Sequence, residues 1–317
     1  MRVVIIARQG DGTINALGDG CQAAGYKVVW QRPSLWSHED YDPKATAVFV
    51  HGLTNGNARN AYRTYREKGV PVWIMDLPRL REDLLALGFY LNGFQWLPAD
   101  IVREPVTLPM VENRSAEVAL VCGQKPGDNS HGMDAVGMYQ WARRTIETVR
   151  EATGLPVVYR PHPKDVNQPP ADGFGADMLS DPRHTDLQAD FARAAVVVTH
   201  NSTTGWEAIA AGVPVHATDP DCAYREYTTE LDAITDLPSA KRAEALGRAA
   251  SSQWTMYEVC KPEVITHLFA HHDGTLRSVL PTTDHTDKGA NADAVTVVDT
   301  PKRPKARKAK PKQLAAA

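Results

Sequence analysis

The chain has 317 residues, 43% of them hydrophobic and 23% charged, a mix that excludes a mainly disordered protein. No apolar run approaches the roughly 20 residues of a spanning helix, and the N-terminal MRVVIIARQGDG reads as a buried strand, not a signal peptide. The formal charge of −3 is unevenly spread: residues 301–317 hold seven Lys/Arg and no acid, which leaves 28 basic against 38 acidic residues elsewhere.

The first 110 residues alternate strand and helix signals. MRVVIIA is a strand, TINALGDGCQAAG a helix, YKVVWQ and ATAVFVHG strands, NARNAYRTYREKG a helix and VPVWIMD a strand. PVTLPMVENRS, with two prolines and little periodicity, reads as a linker. A second alternation follows. EVALVCGQ, LPVVYRPHP, AAVVVTHNS and VPVHATDP read as strands, with MDAVGMYQWARRTIETVREATG, DLQADFARA and TGWEAIAAG as the helices between them. Residues 240–272 read as helical with a break near Pro262. The expected architecture is α/β, two Rossmann-like domains facing each other across a cleft, with parallel sheets covered on both faces. The expected boundaries are 1–112 for a first Rossmann-like domain, 113–274 for a second with closing helices, and 275–317 for a disordered tail, basic from 302.

Four cysteines (Cys21, Cys122, Cys222, Cys260) are far apart and form no CxxC pair. That usage argues against a zinc knuckle or a disulfide scaffold and suits a reducing cytoplasm, the expected location.

Three polar loops follow strands of the second half. In VVVTHNSTTGWEAIAAGVP, a strand ends at Thr199 and a helix begins near Trp206. The turn between them supplies orphan amides and the hydroxyls of Ser202, Thr203 and Thr204, an arrangement that favours an anion. The competing reading is a plain helix cap, with Glu207 supporting the first turn. RPHPK places Arg160, His162 and Lys164 after a neighbouring strand, with charge suited to a diphosphate. GQKPGDNS places Gln124, Lys125 and Asp128 after a third. In open α/β sheets ligands sit outside the carboxyl ends of strands, so the three loops together define a nucleotide-sized site.

These residues carry a resemblance. Gln124 and Asp128 in GQKPGDNS, His162 and Pro163 in RPHP, Ser202, Thr203, Gly205, Glu207, Ala208, Gly212 and Pro214 in NSTTGWEAIAAGVP, and the closing QWTMYEV resemble the nucleotide-binding domain of GT-B glycosyltransferases. The capsular-polysaccharide and Kdo-transferase-like group is the most similar, over about residues 117–260. The resemblance implies a nucleotide-sugar co-substrate, UDP- or CMP-linked, with His162 and Ser202–Thr204 on its phosphates and Glu207 on its ribose. It also implies a transferase that works without a metal or other cofactor.

A general base near the acceptor hydroxyl is needed as well. The candidates are Asp11, in the loop after the first strand, and Asp128, with His51 a third; a turn-forming Asp and a structural His are the competing readings. Asp219-Pro220-Asp221 has the look of a metal-binding DxD but reads better as a turn. Trp36 and Trp96 lie near loops where an acceptor could stack.

The basic run of Lys302, Arg303, Lys305, Arg307, Lys308, Lys310 and Lys312 would bind polyanions by counterion release. Joined to a transferase body, it makes DNA carrying a hydroxylated base the expected acceptor, as in the DNA-modifying glycosyltransferases of bacteriophages, with the base flipped into the cleft. A glycan acceptor of capsule or envelope synthesis is the alternative. A third reading is a non-catalytic nucleotide- or nucleic-acid-binding protein of the same shape.

Overall fold

The computed structural model describes residues 1–8, 10–80, 86–103, 110–165 and 173–270. The basic run 302–312, and with it the expected tail 275–317, lies outside them, as does the first part of the expected linker, 105–109.

The first half builds β1 (Arg2–Ile6), α1 (Gly12–Ala23), β2 (Lys27–Gln31), β3 (Ala47–His51), α2 (Gly56–Glu67), β4 (Val72–Asp76) and β5 (Ala86–Leu91). β1, β3 and β4 are apolar over nearly their whole length because both sheet faces are covered, the pattern of a parallel sheet. The second half builds β6 (Val118–Cys122), α3 (Ala135–Thr153), β7 (Val157–Arg160), β8 (Met178–Leu179), α4 (Leu187–Arg193), β9 (Ala194–Thr199), α5 (Thr203–Ala211), β10 (Val215–Ala217) and α6 (Ser239–Ala250). α3 shows how local sequence sets an element. Asp134 caps it by accepting from the Gly137 amide at 2.7 Å, and Gly154 ends it in the left-handed region at φ 67°. Met138, Trp141, Ala142, Thr145, Ile146 and Val149 form the one stripe it buries.

Two sheets result, one ordered β11-β5-β4-β3-β1-β2, where β11 is Gln253–Thr255, and one ordered β10-β9-β6-β7-β8, within one compact unit. The second is parallel throughout, as expected. The first is not. β5 runs antiparallel to β4, with Trp73 opposite Leu91, and β11 (Gln253–Thr255) runs antiparallel to β5, with Trp254 opposite Leu87.

β11 lies within the segment 113–274 but pairs in the first sheet. After α6 the chain returns to the first sheet through β11, α7 (Met256–Val259) and α8 (Pro262–Ala270). Val259, Ile265, Leu268 and Phe269 join the core made by Val3, Ile5, Leu17 and Phe49. α7 lies so close to α1 that a Cβ on Gly20 would sit 2.2 Å from the Val259 carbonyl oxygen, so the glycine is needed for the contact. The other face of the first sheet packs on α2 through Ala58, Ala61, Tyr62 and Tyr65. Leu80 and Leu97, from the first half, pack into the core of the second beside Trp206 and Tyr224.

Trp36 and Trp96 are 4% and 3% exposed, so neither presents a ring for an acceptor to stack on. Large apolar rings near loops are more often drawn into the core, and here both are.

Candidate active site

The carboxyl ends of both sheets open into one cleft of about 200 Å³. From the second half it is lined by Gln124, Lys125, Asp128, His162, Ser202 and Thr203, and from the first by Asp76, Arg79 and Tyr90, among others. Six of the expected donor-side and catalytic residues, drawn from all three polar loops, thus meet in one place.

Each loop is braced before any ligand arrives. Gln124 and Asn201 form a reciprocal pair: the Gln124 amide donates to Asn201 Oδ1 at 3.0 Å, and the Asn201 backbone N–H donates to Gln124 Oε1 at 2.9 Å. Asn201 Nδ2 also donates to the Ser130 carbonyl at 3.0 Å and to Asp219 Oδ2 at 2.7 Å. Asp219 is therefore a brace of the turn. The Asp128 carboxylate accepts from the Ser130 amide at 2.9 Å, which fixes its own loop. His131, buried beneath that loop, donates from Nε2 to the Lys125 carbonyl at 3.1 Å and accepts at Nδ1 from the Met133 amide at 3.0 Å. Burial pushes its pKa down to about 4, so the ring stays neutral and both bonds hold.

Ser202 caps α5, its hydroxyl accepting from the Thr204 amide at 3.2 Å. Tyr224 donates to the Ser202 carbonyl at 2.9 Å. Gly205 is required beside it, because a Cβ there would lie 2.3 Å from the Tyr224 ring. The helix-cap reading and the anion-site reading are compatible: the cap uses one amide, and the first turn of a helix has others to offer a phosphate. His162 Nδ1 accepts from the Lys164 amide at 3.0 Å, which assigns the ring proton of the neutral form to Nε2. The ring lines both the cleft and a smaller cavity of about 60 Å³ beside Pro161 and Pro163.

Several expected site residues stand elsewhere. Arg160 is buried and spent on the fold. Its guanidinium donates to Asp190 at 2.7 Å, to Ser180 Oγ at 3.0 Å and to the Thr185 carbonyl at 3.0 Å. A buried arginine finds its carboxylate within the domain because an unpaired charge there is costly. Lys164 is exposed and does not line the cleft, nor do Thr204 and Glu207, both half-buried near the start of α5. Asp11 lies outside the cleft and caps α1, accepting from the Thr13 amide at 3.0 Å and the Ile14 amide at 3.4 Å.

Two cleft residues escaped the sequence reading. Asp76 ends β4, half-buried, accepting from its neighbour Leu77's amide at 2.7 Å. Its pKa is raised, first by burial and then by the charge of Asp128, against the lowering effects of the Leu77 amide and His51. Arg79 follows three residues later and is 4% exposed. The rule that placed the other loops, a ligand outside strand carboxyl ends, applies equally to the end of β4 and would have found Asp76.

Two Rossmann-like α/β domains with their strand ends turned to one shared cleft constitute the GT-B fold. No family model matches the chain, and no curated protein matches it. Among solved structures, the chain is similar to one described as Thermosulfurimonas dismutans KpsC, beta Kdo 2,7 transferase. The match has 16% identity and a TM-score of 0.50 over 84% of this chain and 99% of that one. The beta Kdo 2,4 transferase of the same KpsC matches at 14% identity and a TM-score of 0.46, over 78% and 90% of the two chains. A UDP-GlcNAc 2-epimerase from Neisseria meningitidis matches at 11% identity and 0.31, over 85% and 100%. The first of these agrees with the geometry in giving the chain a GT-B fold.

Among the described residues no helix is long and apolar enough to cross a membrane.

Proposed function

We propose that the protein is a glycosyltransferase that moves a sugar from a nucleotide-sugar donor to a hydroxyl of a glycan acceptor. The observation that carries this reading is the shared cleft. It sets the capped start of α5 and the His162 ring on one wall and the carboxylate of Asp76 on the other. The donor diphosphate or phosphodiester lies against the α5 amides and the Nε2–H of His162. The acceptor oxygen attacks the anomeric carbon, the bond from that carbon to the phosphate oxygen breaks, and the electron pair leaves on the phosphate. Backbone dipoles and the imidazole N–H stabilise that charge. Asp76 takes the acceptor's proton. A carboxylate with a raised pKa is a better base than an ordinary one.

The acceptor is proposed to be a glycan because the first neighbour is named for Kdo transfer, and a Kdo-type donor is the first to try. The DNA acceptor expected from the basic run draws no support from the described residues. Metal independence is part of the proposal: the amides and His162 supply the positive character that a cation would supply elsewhere.

Thermal-shift titration of the full chain with CMP, UDP and their sugar conjugates, with and without Mg²⁺, tests the donor site. A ligand at about 100 times its dissociation constant adds about 2.7 kcal/mol. A selective shift that survives chelation is expected. A chain indifferent to every nucleotide would show that the cleft is no donor site.

A further inference from the structure

The guanidinium of Arg79 is among the most deeply placed charges in the protein, and no carboxylate among the described residues pairs with it. Its Nη2 donates to the carbonyl oxygens of Phe94, at 2.9 Å, and of Trp96. Its Nη1 is buried with no hydrogen-bond partner. The group lies 4.9 Å from the ring centroid of Tyr90, on β5, and 5.4 Å from that of Trp206, on α5. It is thus held between aromatic faces contributed by the two domains, at the wall of the cleft. Burial pulls its pKa down. Buried polar groups in folded proteins find partners, and an unpaired charge in a cleft that a substrate must enter points to a partner on that substrate.

We infer that Arg79 is a specificity-determining residue that pairs with a carboxylate on the transferred sugar, an inference that rests on the glycosyltransferase reading above. The planar fork of a guanidinium matches a carboxylate in shape and charge. In the reading above the donor's phosphates are already met by the α5 amides and His162, so the charge of Arg79 is assigned to the sugar. Asp76, three residues earlier, lines the same cleft, which keeps the sugar's reacting carbon near the base. The stacking on Tyr90 and Trp206 holds the guanidinium plane in a fixed direction, a condition for discriminating a carboxylate from a hydroxymethyl group of similar size.

The test compares donors matched in everything but the charge. Calorimetric titration of the full chain uses UDP-glucuronate against UDP-glucose, and CMP-N-acetylneuraminate against its carboxylate methyl ester. In at least one pair the carboxylated ligand is expected to bind about tenfold more tightly or better, the scale of one charge-assisted bond. Arg79→Lys keeps a charge without the fork, and Arg79→Met removes both. In each, the ratio within the pair should collapse toward one. If either variant does not fold, the wild-type ratio still decides. Nucleotide-sugars that bind without any preference for the carboxylated member of a pair overturn the role of Arg79 and leave the transferase reading standing. A preference that persists unchanged in a folded Arg79 variant overturns it too. A wild-type chain that binds no nucleotide overturns the transferase reading and this inference together.

Discussion

Asp76 and His162 carry the sharpest consequences at the level of single residues. Because the folded-state pKa of Asp76 is raised, its active, deprotonated form is lost at a higher pH than for an ordinary carboxylate. The acid limb of kcat/KM should therefore lie above the usual carboxylate range. Asp128→Asn removes the neighbouring negative charge and should move that limb to lower pH. A limb that stays in place would mean that Asp76 is not the titrating base. Asp76→Asn should abolish turnover while donor affinity stays within a few-fold. For His162→Ala, the loss of one charge-assisted hydrogen bond, about 1.5–3 kcal/mol, should raise the donor dissociation constant about tenfold or more. An unchanged constant would remove His162 from the phosphate site.

Elements decide how these side chains are held, and the loop after β6 is the clearest instance. His131 can pin it only while neutral, since Nδ1 must accept from Met133. Its folded-state pKa of about 4 lies below its ordinary 6.5, so the stabilisation is full above pH 6.5 and is lost as pH falls toward 4. That difference corresponds to about 3 kcal/mol. Melting temperatures between pH 7 and 4 should fall less steeply for His131→Gln than for the wild type, and parallel curves would refute the assignment. The same loop reaches the first domain: Asn129 donates to the Leu53 carbonyl at 2.9 Å and accepts from Arg59 at 3.1 Å. A one-residue change there touches both walls of the cleft.

On the scale of the whole molecule, the return of the chain to the first sheet ties the two domains together. Gln253 exchanges hydrogen bonds with the backbone of Leu80, accepting at 3.0 Å and donating at 2.9 Å, and Arg103 donates to Glu258 at 2.8 Å. A chain ending at residue 250 would lose Trp254, Val259, Ile265, Leu268 and Phe269 from the core of the first domain. Each large apolar side chain so removed costs about 1.5–3 kcal/mol of burial, and the total is comparable to the whole 5–15 kcal/mol or so by which domains are stable. Such a chain should show no cooperative melt by circular dichroism. A chain ending at 274 should melt like the full protein. If the shorter chain folds, the crossing segment is an accessory.

Much of this was legible in the sequence because it is local. The apolar runs of β1, β3, β4, β6 and β9, the caps and stops of α3 and α5, and the three polar loops at strand ends all depend on neighbouring residues, and they set the α/β class and bring the polar loops to one cleft. What escaped depends on distant partners. ALGFYL and QWT carry weak strand signals; ALGFYL pairs antiparallel with β4 on one side and QWT on the other, and QWT becomes a strand only against ALGFYL, far earlier in the chain. RPHPK reads as three polar donors at one strand end, yet alternation along β7 sends Arg160 inward to Asp190, while His162 beyond the strand reaches the cleft. Asp11 has the composition of a catalytic loop and the position of a helix cap. Asp76 and Arg79 look unremarkable in VWIMDLPRL and acquire their meaning from what faces them: a second carboxylate across the cleft, and two aromatic rings from different domains. Sequence alone determined which segments are buried, because burial is written into local periodicity. Only the tertiary structure decided which charges are shared, since a charge is defined by its neighbours in space.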